Sequence, residues 1–352
     1  MSASREPRVR IFSTCPPSSA FPAEAYPGRV ADVGRWSEEA GCEGILVYAD
    51  NSLLDPWLVS QLLVRGTERL APLVAVQPVY MHPYSVAKAV ASLAHLHGRS
   101  VHLNMVSGGF KNDLAALGDE TPHDRRYDRL VEYTKIVRGL LAGGAPVSLA
   151  GDFYRVAGLR LQPAPPEELR GEVFVSGSSE AGMAAARVLD ALAVKYPRPA
   201  HEEQAEGDGF EDDGVRRGVR VGVIARADEE EAWQVAHERF PGDRRGQLTH
   251  QLAMKVSDSV WHQQLSKTAE ESDGSPYWLF PFQNYKTMCP YLVGSYERVG
   301  EELGRYVALG AGTFILDVPP DDEELHHTRA AFAAAGAALA PEDLPRAEAA
   351  AS

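Results

Sequence analysis

A chain of 352 residues, 44% hydrophobic and 24% charged, is long enough for two ordinary domains or one large α/β barrel, with a full core in either case. Its 35 Lys and Arg against 49 Asp and Glu leave a formal charge of -14, which opposes nucleic-acid binding by counterion displacement and docking on anionic membrane lipid. Three cysteines without metal-site spacing, a polar N-terminal stretch and no apolar run near the roughly 18 residues of a membrane span lead us to expect a cytoplasmic globular protein.

Short apolar runs alternate with helical periodicity, the signature of parallel βα units. Strands are predicted at 9–14, 44–48, 73–76 and 101–106, with helices between them: one carrying Val30, Val33, Trp36 and Ala40, one over about 56–69, and one carrying Val86, Val90 and Leu93. An irregular stretch to about Pro122 precedes a helix with Leu130, Thr134, Val137 and Leu141 in register. Residues 147–161 read as a small antiparallel excursion around Gly151-Asp152. Strand 173–175 then runs through Ser176-Gly177-Ser178-Ser179 into a helix over 180–189, and strand 191–194 ends in Lys195-Tyr196-Pro197.

The acidic segment 201–216 reads as an exposed loop, 219–224 as the seventh strand, and about 229–239 and 244–265 as helices. Segment 267–286, with five aromatics after Asp273-Gly274-Ser275-Pro276, has the length and composition of a lid or interface. A helix over 296–309, a strand over 313–316 and a helix over 322–339 complete the count, and the Ala-rich tail 341–352 is expected to be disordered. Eight βα units favour an α/β fold of the (β/α)8 TIM-barrel type with insertions, one domain over 1–340. That fold puts the site on the loops after the strand C-termini. No G-x-G-x-x-G follows a strand and no P-loop is present, which disfavours a Rossmann or P-loop nucleotide site.

At the strand ends, Ser176-Gly177-Ser178-Ser179 offers a phosphate site: a glycine turn, hydroxyls, and the free N–H groups of a helix start. Simple N-capping by Ser178 or Ser179 is the plainer alternative. Ser107-Gly108-Gly109 would let a flat ligand approach closely, and Asn104 either points into the barrel mouth or is a satisfied buried amide. Tyr127 lies in the first turn of the fourth helix. Lys195 ends the sixth strand, Arg220 alternates with valines on the seventh, and His82 precedes a helix that it would cap. No Ser/His/Asp set and no His pair with metal spacing supports a hydrolase or a metal site.

Together these pieces resemble the bacterial luciferase-like family of flavin-dependent enzymes, and within it the alkanesulfonate monooxygenase group. The resemblance runs from Gly44 to about Pro199 and again from Gly218 to about Phe332. It is carried by Asp55-Pro-Trp-Leu-Val59, Leu73-Val-Ala-Val-Gln-Pro78, Leu103-Asn-Met-Val-Ser-Gly108, Arg126-Tyr127, Phe174-Val-Ser-Gly-Ser-Ser179, Tyr291-Leu-Val-Gly294 and Ala311-Gly-Thr-Phe-Ile-Leu316. It implies a barrel holding reduced FMN (FMNH2), with Ser178, Ser179 and Tyr127 on the phosphate and Ala49, Asp50, Asn104 and Ser107 along the isoalloxazine ring. The end of the third strand, Val76-Gln77, would back the ring.

The chain departs from the sulfonate pattern at Leu53 for a Cys, Gly222 for a His and Pro319 for a Tyr, with Lys286 an approximate stand-in for a lid Arg. The expectation is therefore a two-component monooxygenase acting on something other than an alkanesulfonate. It would use O2 and FMNH2 from a separate NAD(P)H:flavin reductase on a small organic substrate, with a carrier-tethered substrate among the options. Arg220 would stabilise negative charge on oxygen or on the substrate, Lys195 would meet substrate charge, and Asp50 or His82 would move protons. The family association implies a homodimer or homotetramer. Two alternatives stand beside this reading: a deazaflavin F420-dependent oxidoreductase of the same superfamily, and a flavin-binding homologue without catalysis.

Overall fold

Strands buried on both faces need helices on one side and a filled interior on the other, and the apolar runs of this chain build such a sheet. The computed structural model describes residues 8–206, 214–256 and 275–339. In chain order, β1 (Arg8–Thr14), β2 (Gly44–Val47), β3 (Ala71–Val76) and β4 (Val101–Val106) lie side by side and parallel. The antiparallel hairpin β5 (Val147–Ala150) and β6 (Arg155–Leu159) forms the expected excursion, and β7 (Arg170–Ser176), β8 (Leu192–Lys195) and β9 (Arg217–Arg220) continue the parallel sheet. A side sheet of β10 (Gly222–Arg226), β11 (Tyr277–Trp278) and β12 (Tyr291–Ser295) intervenes before β13 (Ala311–Ile315). β13 pairs with both β9 and β1, in the register Arg10↔Thr313, Ile11↔Phe314 and Phe12↔Ile315, so eight parallel strands close into a barrel. β14 (Ala338–Leu339) adds two residues alongside the start of β1.

The helices, again in chain order, are α1 (Tyr26–Glu39), α2 (Pro56–Gly66), α3 (Pro83–His97), α4 (Lys111–Ala116), α5 (His123–Ala142) and α6 (Glu180–Val188). They are followed by α7 (Ala200–Glu206), α8 (Glu229–Arg239), α9 (Arg244–Val256), α10 (Phe280–Gln283), α11 (Tyr296–Ala308) and α12 (Asp322–Ala334). Local sequence sets their starts. The Asp55 carboxylate accepts from the Trp57 and Leu58 amides at 2.9 and 3.2 Å, with Pro56 in the first turn of α2. None of the described helices is long and apolar enough to cross a membrane.

The barrel interior is filled by Phe12, Leu46, Leu73, Phe174, Leu192, Val194 and Ile315. Beneath them, at the N-terminal end of the strands, Arg10 donates to Glu43 at 2.7 Å and to Glu172 at 2.9 Å, and its guanidinium lies over the Phe12 and Phe174 rings. His102 is wedged edge-on against the same two rings. Burial holds its pKa down at about 4, with Glu43 and Glu172 pulling upward and Arg10 downward.

The sign of the consequence is fixed. Between about pH 6.5 and pH 4 the unfolded chain protonates this imidazole and the folded chain does not. Unfolding free energy should therefore fall by about 3 kcal/mol across that window on account of His102. Urea titrations at a series of pH values, compared with His102→Asn, test this, since the variant should lose that part of the slope.

Three sequence expectations change: the seventh strand, the acidic segment, and the last helix, which ends at Ala334 with β14 following rather than running to 339. The seventh strand is not continuous over 219–224. The Val221 amide donates to the Ile315 carbonyl at 3.1 Å, and from Gly222 the chain leaves the barrel to pair with Tyr291–Ser295 in the side sheet. The acidic segment, read as a loop, begins as helix α7, with Glu203 buried against its surroundings; 207–213 lie outside the described residues. Of the segment read as a lid, 267–274 lie outside the described residues, as do 257–265 of the helix expected to 265 and the tail 341–352. In the described part of the segment read as a lid, Tyr277, Leu279 and Phe282 are buried, with the Tyr277 hydroxyl donating to the Pro197 carbonyl at 2.8 Å, while Trp278, Phe280 and Tyr285 are half-buried.

Candidate active site

Parallel strands end together, so the residues that follow them converge on one face of the barrel. There they line a cavity of about 1420 Å³. Its wall takes Pro16 and Pro17 after β1, Tyr48 to Leu53 after β2, Gln77 after β3, and Ser107 to Phe110 after β4. It continues with Ser176 to Ser179 at the end of β7, Tyr196 after β8, Arg220 at the end of β9 and Asp317 to Pro320 after β13.

One pole is the β7–α6 turn. The Ser179 hydroxyl accepts from the Gly182 amide at 3.1 Å and caps α6. Ser176 donates to the side-chain oxygen of Asn104 at 2.8 Å, which fixes that amide at the floor of the cavity. Ser178 is different: its hydroxyl oxygen is buried and has no hydrogen-bond partner. Gly177 is required by close approach, because a Cβ there would lie 2.3 Å from the Tyr127 hydroxyl. A buried orphan hydroxyl, a helix N-terminus and a phenol over a glycine form a cradle suited to a phosphate.

Ala49, Asp50, Asn104 and Ser107 all line the wall as well. Asp50 is oriented by Ser52, whose amide and hydroxyl donate to one carboxylate oxygen at 2.8 and 2.5 Å. Across from it, burial and then the charge of Asp50 push the Asp113 carboxyl above its usual range. Leu53, Lys286 and Pro319, where the sulfonate pattern differs, line the cavity too, with Lys286 held 2.5 Å from Asp243.

A second pole, two strands along from the first, is built on Arg220, which is 5% exposed and faces the cavity. Its guanidinium donates to the Tyr196 hydroxyl at 3.2 Å and to the Tyr48 hydroxyl, with both rings in cation–π range. Among the described residues no carboxylate pairs with it, and its Nε is buried without a partner. Burial works against its charge, yet Tyr48 and Tyr196, with Cys289 and Asp317 behind them, hold its pKa well above the ordinary value. It is a permanent cation in a dry setting.

Asp317 is the nearby counter-charge. One oxygen, Oδ2, accepts from Thr287 at 2.5 Å and from Tyr291 at 2.8 Å. The Tyr291 ring also explains Gly222: a Cβ at 222 would lie 2.3 Å from that ring, so the space a side chain would take is already filled.

Two candidates are corrected. Lys195 does not line the cavity; its ammonium lies 2.6 Å from the buried Glu203 carboxylate, because the next residue, Tyr196, takes the inward position. His82 does not line it either, and accepts from the Tyr84 amide at 3.1 Å as the cap of α3. Sequence reasoning missed Tyr48, Tyr196 and Asp317 as site residues. Their place just after β2, β8 and β13 was the available signal. Tyr291 had only its place in a segment that carries the family resemblance, since it sits on a strand outside the barrel.

Comparison with known proteins agrees with the fold. Residues 8–313 match the model of the family described as luciferase-like monooxygenase. The chain is 34% identical over 300 residues, 84% of its length and 87% of the relative's, to the 4-(gamma-L-glutamylamino)butanoyl-[BtrI acyl-carrier protein] monooxygenase BtrO of Niallia circulans. Among solved structures, riboflavin lyase RcaE, with modified FMN and riboflavin, superposes with a TM-score of 0.71 at 18% identity, covering 97% of this chain and 95% of that one. The EDTA monooxygenase EmoA of Chelativorans sp. BNC1 gives 0.71 at 16% identity, covering 97% and 96%. At those identities the two structures speak for the fold alone.

Proposed function

Since the chain belongs to the luciferase-like monooxygenases, we propose that its cavity takes reduced FMN together with an acyl substrate tethered to a carrier protein. The observation that carries the flavin is the orphan Ser178 hydroxyl in the cradle at the start of α6. Ser178, Ser179 and the α6 amides, beside Tyr127, would hold the phosphate, with Ala49, Asp50, Asn104 and Ser107 along the ring. When bound, reduced FMN supplies the two electrons by which dioxygen is split, one oxygen atom entering the substrate and the other leaving as water. A separate NAD(P)H-dependent reductase would provide it, because this chain has no nicotinamide-binding motif.

The protein's own contribution is positioning and charge. Ser176 orients the Asn104 amide, and the Ser52 donors fix the Asp50 carboxylate for proton transfer at the mouth. Arg220 offers a fixed positive charge to an anionic group of the substrate. The carrier-borne substrate is supported by the relative BtrO, whose name places its acyl group on an acyl-carrier protein. The wide cavity also leaves room for a second extended molecule beside a flavin.

Anaerobic titration with reduced FMN, followed by its absorbance, tests the reading. The wild-type chain should bind it, and Ser178→Ala should bind about tenfold more weakly, the equivalent of one lost charge-assisted hydrogen bond. Binding of F420 in place of FMN would move the protein to hydride transfer.

A further inference from the structure

Arg220 and Asp317 face the same pole of the cavity with opposite charges that do not neutralise each other. The guanidinium spends its hydrogen bonds on two phenols, and a phenol brings no negative charge. Asp317 spends only Oδ2, on Thr287 and Tyr291; Oδ1 accepts from none of the described residues. A buried cation that makes no ion pair with its nearby counter-charge, and a half-buried carboxylate with one unbonded oxygen, are each incompletely satisfied. Both are relieved by one ligand that brings a carboxylate to Arg220 and an ammonium to Asp317.

We infer that this pole recognises a zwitterionic α-amino-acid end on the substrate. The inference rests on the monooxygenase reading above and adds to it the chemistry of the substrate's far end. Selectivity follows from the arrangement. A substrate lacking the amine leaves Asp317 facing an apolar group, and one lacking the carboxylate leaves the amine's cation beside Arg220. Tyr48 and Tyr196 act as positioning residues, holding the guanidinium plane from two sides.

Isothermal titration of the full chain saturated with FMN tests this with three probes. They are γ-L-glutamyl-n-butylamide, glutaric acid mono-n-butylamide, which lacks the amine, and 4-amino-N-butylbutanamide, which lacks the carboxylate. The zwitterion should bind at least about tenfold more tightly than either analogue. Asp317→Asn should erase the preference over the glutaric amide and keep most of the preference over the amine. Arg220→Gln should do the reverse, with Arg220→Met, which also removes the charge, substituted for it where the Gln variant does not fold. Equal binding of the zwitterion and the glutaric amide, no binding of the zwitterion, or an unchanged preference in Asp317→Asn would overturn the inference. FMN affinity, measured separately in each protein, reports on the flavin reading, so the two fail independently.

Discussion

Arg220→Gln is expected to lower kcat/KM for oxygenation about a hundredfold to a thousandfold while reduced FMN still binds with near-wild-type affinity. The two effects separate because Arg220 and the Ser178 cradle rise from different strands, β9 and β7, with β8 between them. The size of the loss follows from the setting. A permanent cation, 5% exposed and ringed by Tyr48 and Tyr196, holds a substrate carboxylate with little solvent to weaken the pairing. Steady-state oxygenation with a coupled reductase, alongside anaerobic flavin titration, gives both numbers. A parallel fall in flavin affinity would instead make Arg220 part of the flavin site. Full retention of activity would remove it from the chemistry and leave the family's reaction to other residues.

The second large effect is structural. Phe174→Ala should destabilise the fold by about 3–5 kcal/mol, seen as a lower urea midpoint at unchanged slope. Phe174 is fully buried in the barrel interior, edge-on to Phe12 at 5.4 Å and to His102 at 5.9 Å. No neighbour can collapse into the space, because every side of the ring is held by a closed circle of strands. Phe174 also stands opposite Asn104 in the β4–β7 register, so the void would open directly beneath a wall residue of the cavity.

Much of this was legible in the sequence because it depends on neighbours a few residues away. Runs such as 71–76, buried along their whole length, have only one architectural use, and eight of them separated by helices fit the closed barrel. The Asp55-Pro56 start of α2 and the Ser179 cap of α6 are written in two or three residues. What failed depends on distant partners. Val219-Arg-Val-Gly-Val223 alternates like one strand, and only Tyr291–Ser295, some seventy residues on, draws its second half out of the barrel. Lys195 ends a strand as a site residue would, but a one-residue alternation sends it to Glu203 and Tyr196 to the cavity. His82 had two readings, and the local cap prevailed. Asp317 and Tyr48 follow their strands in plain sight, yet their value comes from Arg220, Thr287 and Tyr291, which no spacing rule connects.

The contact between Gly222 and Tyr291 constrains how this pocket could have diverged. A side chain at 222 requires the ring at 291 to be gone, and once that ring is gone Asp317 loses one of its two donors. Exchanging this end of the cavity for one with a histidine at 222 therefore needs ordered changes: position 291 must shrink before position 222 can grow. The reverse order passes through a sequence whose two side chains claim the same volume. Substitutions at the two sites should be strongly epistatic, and relatives that differ at one of them should be read at both.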